Sequence, residues 1–274
     1  SNGMAGKGVP ILFADVTELD LVYLNMETPG GCVHAPNPLV EANLAQLRES
    51  VRWKRADFGI CFDGDADRLI VVDENADVVS CDLLTALLAK RFLERAPGAT
   101  VVYDLRSSRV VAEEVEAAGG VPRRERVGHA FMKKALSESR GVFGGELSGH
   151  FYFKDNYYCD SAVLAMAQVI NILTREGRSL SELIAPLRRY HGSGECNFEN
   201  TNKDQAIMAL GERYGDGRVD YLDGVTVQYS DWWVNVRKSN TEPLLRLNVE
   251  ANTPELLEAK LAELAPQLGE PVEH

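Results

Sequence analysis

An α/β chain closed by a smaller α+β unit is predicted by three features of the sequence. Through the first 191 residues, short β-favouring runs alternate with runs whose apolar residues recur at helical spacing. The turns that follow several of these strands gather glycine with charged residues, as ligand loops at strand ends do. From about Gly192 the pattern changes to closely spaced β runs ahead of one closing helix. The chain has 274 residues, 45% hydrophobic and 26% charged, enough for two or three folded units.

The elements follow in order. Ser1 to Gly8 is glycine-rich and reads as a turn feeding a helix, although no strand precedes it. Asp20–Leu24 reads as a strand, Pro36-Asn37-Pro38 as a turn, and Leu39–Leu47 as a helix. Phe58–Phe62 is an apolar strand leading into an acidic loop, and Leu69–Asp73 leads away from it to a turn at Asn75. A second unit opens near Cys81 with a helix over Asp82–Lys90, broken at Pro97-Gly98. Thr100–Asp104 is the next strand and Arg109–Ala118 the next helix, stopped by Gly119-Gly120. Gly141–Gly144 forms a further strand before the Gly145–His150 loop, and a helix spans roughly Asp160–Arg175. In the last unit, runs at Val225–Tyr229, Trp233–Val236 and Leu244–Val249 predict a small mixed sheet, with Pro254 opening the final helix. The resulting units are 1–79, 80–191 and 192–274.

Charge and cysteine usage narrow the functional classes. A formal net charge of -12 repels a nucleic-acid backbone or an anionic membrane, while leaving room for a local phosphate pocket. The five cysteines form no C-x-x-C pair, which signals neither a zinc knuckle nor a disulfide scaffold and suits a reducing cytosol. No charged-then-apolar leader and no apolar run of membrane-spanning length occurs, so the expectation is a cytoplasmic protein.

The most informative motif is Asp63-Gly64-Asp65-Ala66-Asp67-Arg68. Three carboxylates at alternate positions repel one another unless a counter-charge lies among them. A hard divalent cation such as Mg²⁺ prefers oxygen ligands, and Gly64 and Ala66 leave room for the loop to curl around it. The alternative is an acidic surface turn. The run lacks the length and terminal glutamate of an EF-hand calcium loop.

Three ordered loops together resemble the α-D-phosphohexomutase superfamily, which includes phosphomannomutase, phosphoglucomutase and phosphoglucosamine mutase. Asp63–Arg68 matches its metal loop, Gly145-Glu146-Leu147-Ser148-Gly149-His150 its sugar-recognition loop, and Arg237-Lys238-Ser239-Asn240-Thr241-Glu242-Pro243 its phosphate-recognition loop. His34-Ala35-Pro36-Asn37-Pro38 resembles the turn that precedes the metal loop in this family. The resemblance implies a phosphohexomutase-like fold: a partial second α/β domain, a complete third α/β domain, and the smaller C-terminal α+β domain. The first domain, whose serine is phosphorylated in a Ser-His-Asn-Pro setting, has no counterpart here, so the expectation is a fragment that requires that domain for catalysis and is inactive alone.

Carried over residue by residue, the resemblance implies that Asp63, Asp65 and Asp67 hold Mg²⁺ and that Arg68 offers charged donors to a phosphoryl group or balances the local acid. Glu146 and Ser148 would meet sugar hydroxyls, and His150 a hydroxyl or phosphate edge or the following turn. Arg237, Ser239, Asn240 and Thr241 would surround the phosphate that is not transferred, with Lys238 adding charge or facing solvent and Glu242 bracing the loop. Two further positions match family active-site elements: Arg106, where relatives often have lysine, and His129, suited to proton transfer or to a helix start.

The implied substrates are hexose phosphates, and the implied activity is an isomerase interconverting mannose 6-phosphate and mannose 1-phosphate through phosphoserine and hexose 1,6-bisphosphate. Glucose phosphate is an alternative or additional substrate, and a non-catalytic phosphosugar-binding or assembly module a different class. The runs Gly149–Asp155, Tyr158–Ser161 and Trp232–Val236 resemble bacterial phosphomannomutases.

Overall fold

The chain forms two compact units, one from residues 1–124 and 128–187, the other from 125–127 and 188–274. The computed structural model describes residues 2–27 and 31–272. The first unit begins with α1 (Ala5–Leu12), where Ala5 and Val9 pack against Met166. Thus a turn at Gly3 and Met4 feeds a helix as expected, but the helix already begins at Ala5 and takes in Gly6 and Gly8, while Ser1 lies outside the described residues.

Asp20–Leu24, expected as a strand, pairs with no described strand, and Val22 and Tyr23 face solvent. β-propensity there finds no ladder, and an unpaired run gains nothing from it. The helix expected over Leu39–Leu47 also starts later. A 3₁₀ turn at Glu41–Leu44 leads into α2 (Ala45–Lys54). The Asn37 side chain accepts from Leu39 N at 3.1 Å and its carbonyl accepts from Asn43 Nδ2 at 2.8 Å, holding the preceding residues in a turn. α2 ends at Arg55, which takes the left-handed conformation.

Strands β1 (Phe58–Phe62), β2 (Leu69–Asp73) and β3 (Val78–Val79) then form an antiparallel sheet. β2 is buried along its whole length and pairs Phe62 with Leu69, which closes the acidic loop between them into a tight hairpin tip. Next come α3 (Cys81–Arg95), β4 (Thr100–Asp104), α4 (Val110–Ala117), β5 (Val121–Glu125), α5 (His129–Glu138), β6 (Phe143–Gly145), β7 (Phe151–Phe153), β8 (Cys159–Asp160), α6 (Ala162–Glu176) and α7 (Leu180–Ile184). The five strands order as β5-β4-β6-β7-β8, with β4 and β6 parallel. Helices cover both faces of this sheet. Phe92 of α3 stacks on Phe143 with ring centroids 4.8 Å apart, while Met132, Ala135 and Leu136 of α5 pack on Val102 and Tyr152. Loops after β4 and β6 therefore leave one edge of a sheet buried on both sides.

The second unit contains β9 (His191–Gly192), β10 (Cys196–Glu199), α8 (Lys203–Arg213), β11 (Arg218–Asp220), β12 (Val225–Gln228), β13 (Trp232–Lys238), β14 (Leu244–Ala251), α9 (Pro254–Leu264) and β15 (Glu270–Val272). Its sheet runs β11-β12-β13-β14-β10-β15, with β9 also on β14. Every described pairing is antiparallel, where a mixed sheet was expected. Connections such as Ser239–Pro243 are too short for a parallel crossover. Thr253 caps α9 through Leu256 N, with Pro254 in the first turn where its missing N–H costs nothing.

One face of this sheet carries Val225, Val227, Val234, Val236, Leu245, Leu247 and Val249, packed with Ile207 and Leu210 of α8 and Leu264 of α9. Leu247 is completely buried there. Its replacement by alanine is expected to remove about 2–5 kcal/mol of stability, read as a lower urea midpoint in a transition followed by tryptophan fluorescence.

Candidate functional site

Asp63 stands at the end of β1, almost fully buried, and its carboxylate is closed by the other end of the loop. Arg68 N donates to Oδ1 at 3.1 Å and Arg68 Nε to Oδ2 at 2.6 Å, while Asp63 N donates back to the Arg68 carbonyl at 3.3 Å. Burial pushes the Asp63 carboxyl up, but the hydrogen bonds from the Arg68 side chain and backbone outweigh it and hold the group below the ordinary range. Asp67 lacks such closure. Burial and the negative charges of Asp63, Asp65 and Asp160 push it up to about 6.

The chemistry of this donor set fits a hard divalent cation. One oxygen from each of Asp63, Asp65 and Asp67 lies within 4.8 Å of the others, and Asp67 Oδ1 is buried without a hydrogen-bond partner. Arg68 Nε, 3.7 Å away, is too far to supply that bond. An acceptor withdrawn from water without a hydrogen bond is costly, and a cation among three carboxylates removes that cost together with their repulsion.

The Gly145–His150 loop is tied directly to this acidic loop. Arg68 and His150 form a β-bridge, and Leu69 N donates to the Gly149 carbonyl at 3.1 Å. Gly149 has φ of +93°, and a Cβ there would lie 2.7 Å from the Leu69 carbonyl oxygen. His150 Nε2 lies 3.4 Å from Asp67 Oδ2, and its Nδ1 lies 2.9 Å from Ser148 Oγ. Burial holds the ring below its ordinary value despite the nearby Glu146 carboxylate, so the imidazole is neutral around neutrality.

Glu146 is buried beneath the loop. Gly128 N donates to its Oε1 at 3.0 Å and the Tyr152 hydroxyl donates to its Oε2, so both oxygens are engaged inside the protein. Burial, reinforced by the Asp104 charge, raises its pKa. Asp104 is wholly buried and organises the adjacent loop: Oδ1 accepts from Arg106 N and Nε, and Oδ2 from Arg106 Nη2 and from Leu147 N at 2.7 Å. Burial opposes its ionisation, but the Arg106 charge and these bonds hold the carboxyl below the ordinary range. His129 begins α5 on the surface, its ring centroid 6.3 Å from that of His150.

The first unit therefore gathers Asp63, Asp65, Asp67, Arg68, Glu146, Ser148, His150, Arg106 and His129 around two joined loops. Asp104, Tyr152 and Asp160 lie within or beside the runs singled out in the sequence but were given no site role there. Asp104 ends a strand as an ordinary terminal residue would, and only the crossover from β4 to β6 brings it under Leu147.

In the second unit, Arg237 is the next-to-last residue of β13, and Ser239, Asn240 and Thr241 leave the strand as one short loop. Arg237 is buried and paired with Glu195, whereas Asn240 and Thr241 are exposed. Ser239 Oγ accepts from Thr241 N at 3.3 Å and Glu242 N at 3.2 Å, curling the loop, and Lys238 pairs with Asp204 at 2.6 Å. Glu242 accepts from Arg246 at 2.7 Å, in keeping with a loop brace.

Three domain models described as phosphoglucomutase/phosphomannomutase match the chain in succession: domain II over residues 1–76, domain III over 80–190 and the C-terminal domain over 195–267. The chain belongs to the phosphoglucomutase/phosphomannomutase family. Its similarity to a phosphomannomutase of Methanocaldococcus jannaschii is 40% identity over 89% of this chain and 54% of that protein. A Xanthomonas campestris protein described as phosphohexose mutases is 37% identical over 96% of this chain and 60% of its own length. A crystal structure of a phosphoglucomutase/phosphomannomutase family protein from Burkholderia thailandensis superposes with a TM-score of 0.87 at 31% identity, covering 97% of this chain and 58% of that one. The chain thus spans little more than half the length of these relatives. Among its described residues no helix is long and apolar enough to cross a membrane.

The joined loops make Gly149 a sensitive position. Gly149→Ala is expected to cost roughly 1–3 kcal/mol through its left-handed backbone and the contact with Leu69, measured as a lower urea midpoint.

Proposed function

We propose that the chain carries the metal-, sugar- and phosphate-recognition elements of a phosphomannomutase, an isomerase that interconverts mannose 6-phosphate and mannose 1-phosphate through a phosphoserine and hexose 1,6-bisphosphate. The observation that carries this reading is the Arg68–His150 bridge, which joins the carboxylate loop to the Gly145–His150 loop in one unit. Phosphoryl transfer needs charge neutralisation next to sugar recognition, and that bridge supports the pairing.

Asp63, Asp65 and Asp67 would hold Mg²⁺, which when bound supplies positive charge that polarises a phosphoryl oxygen. Arg68 keeps Nε on Asp63 while its side chain, 30% exposed, offers further guanidinium donors to a phosphoryl group. Ser148 and neutral His150 meet sugar hydroxyls, and Glu146, seated on Gly128 and Tyr152, sets the floor of their loop. Arg106 stays protonated and is held by Asp104, so it stabilises phosphate charge rather than accepting a proton. His129 is the residue on this rim free of buried constraints for proton transfer to a sugar oxygen. Arg237, Ser239, Asn240 and Thr241 grip the phosphate that is retained. A preference for mannose follows the phosphomannomutase relatives, and the phosphoglucomutase/phosphomannomutase description of the matching domain models supports glucose phosphate as an alternative or additional substrate.

Mg²⁺ is expected to bind the chain at one saturable site and raise its melting temperature, while Asp63→Asn or Asp65→Asn weakens it at least about tenfold. Titration calorimetry with each variant measures this, and Mg²⁺ affinity unchanged by both would overturn the metal assignment.

None of the chain's serines stands in a Ser-His-Asn-Pro run. Assayed as these 274 residues, the protein is therefore expected to bind mannose 1-phosphate without isomerising it. Calorimetry gives the affinity, and an assay with mannose 1-phosphate, Mg²⁺ and catalytic hexose 1,6-bisphosphate gives the turnover. Robust turnover would refute the inactivity; equal affinity for glucose 1-phosphate would replace strict mannose recognition by dual specificity.

A further inference from the structure

The second unit holds two arginines in a place where their charges oppose each other. Arg237 on β13 and Arg246 on β14 are direct partners in the antiparallel register, so both side chains leave the same face of the sheet. Like charges directly opposite across a ladder are destabilising, and with Arg237 only 1% exposed, water does little to screen them. The counter-charge comes from outside the loop. Glu195, immediately before β10, accepts from Arg237 Nη2 through Oε2 and forms an ion pair with Arg246 through Oε1, 2.9 Å from Nη1.

The contacts continue into the loop. Arg246 Nη2 donates to Glu242 Oε2 at 2.7 Å, and Glu242 N donates to Ser239 Oγ at 3.2 Å. The charged chain Arg237, Glu195, Arg246, Glu242 therefore links the residue that enters the loop with the one that leaves it. A carboxylate beside a bound phosphate would repel it, so Glu195 has no favourable direct contact to offer such a ligand. Its effect passes through the two guanidinium groups.

We propose that Glu195 is a positioning residue for the Arg237–Glu242 loop, fixing both ends of the loop through its bridge between Arg237 and Arg246. This rests on the reading of that loop as the phosphate grip, and it assigns a role to a residue 42 positions upstream of its partner.

Hydrogen exchange of the 274-residue protein tests it, with Glu195→Ala and with Glu195→Gln, which keeps the size and an acceptor but removes the charge. In Glu195→Ala the amides of Thr241 and Glu242 are expected to exchange at least about tenfold faster, as loss of a buried charge partner implies, while the amides of the β12–β14 ladder stay protected. Glu195→Gln falls between the two. Mannose 1-phosphate affinity, measured in parallel, is expected to fall at least about tenfold in Glu195→Ala. If Glu195→Ala loses protection throughout the unit, the comparison of loop with ladder amides in Glu195→Gln decides. Loop protection unchanged from the parent overturns the proposal, and so does tighter sugar-phosphate binding by Glu195→Gln, which would make Glu195 a competitor for the arginines. A loosened loop with unchanged or absent sugar-phosphate binding supports the positioning role and overturns the phosphate reading instead.

Discussion

Burial of the Asp63 carboxylate against Arg68 is the constraint on which the first unit is organised. Asp63 sits at the end of a strand in a sheet whose centre, β2, is closed to water, and an ion placed there demands a partner within hydrogen-bond reach. Arg68 supplies a side-chain donor and a backbone donor at once, five residues on, which forces the intervening residues into a tight curl. That curl turns Asp65 and Asp67 toward Asp63. A loop closed by so few bonds would be weak alone, and the Arg68–His150 bridge adds a second loop to its support.

Below the Gly145–His150 loop the same logic recurs with other residues. Asp104 and Glu146 are buried carboxylates whose oxygens accept from backbone amides of the neighbouring loops, Leu147 in one case and Gly128 in the other. Bonds of this kind are worth more than neutral ones and cost more to leave unmade. They hold irregular backbone in a fixed shape without a ladder. Ser148 and His150 are left on top, oriented but not consumed.

The second unit shows the same economy in a sheet. Both faces of β13 and β14 are buried, one apolar and packed on α8 and α9, the other lined by Asn235, Arg237, Arg246, Asn248 and Glu250. Trp233 donates to Glu250 at 2.7 Å and Asn235 to Thr226 at 3.0 Å, so this polar face is bonded across strands. The loop that leaves β13 inherits its geometry from that framework rather than from its own few residues.

Much of this was legible in order along the chain. Apolar runs located β1, β2 and β4, Pro254 marked the start of α9, and alternate aspartates behind a strand announced a crowded carboxylate loop, because these depend on neighbours within a few residues. Asp20–Leu24 shows the limit, since a strand exists only if another offers it a ladder. The role of Arg237 shows it again: charge type and loop position are local, but its burial against Glu195 depends on three strands meeting. The sequence by itself determined the chemistry available, three carboxylates, a glycine-flanked loop carrying Glu146, Ser148 and His150, and a hydroxyl-rich basic loop. Only the tertiary structure decided which of those groups face outward and which are spent on internal bonds, because burial and hydrogen-bond partners come from residues distant in the chain.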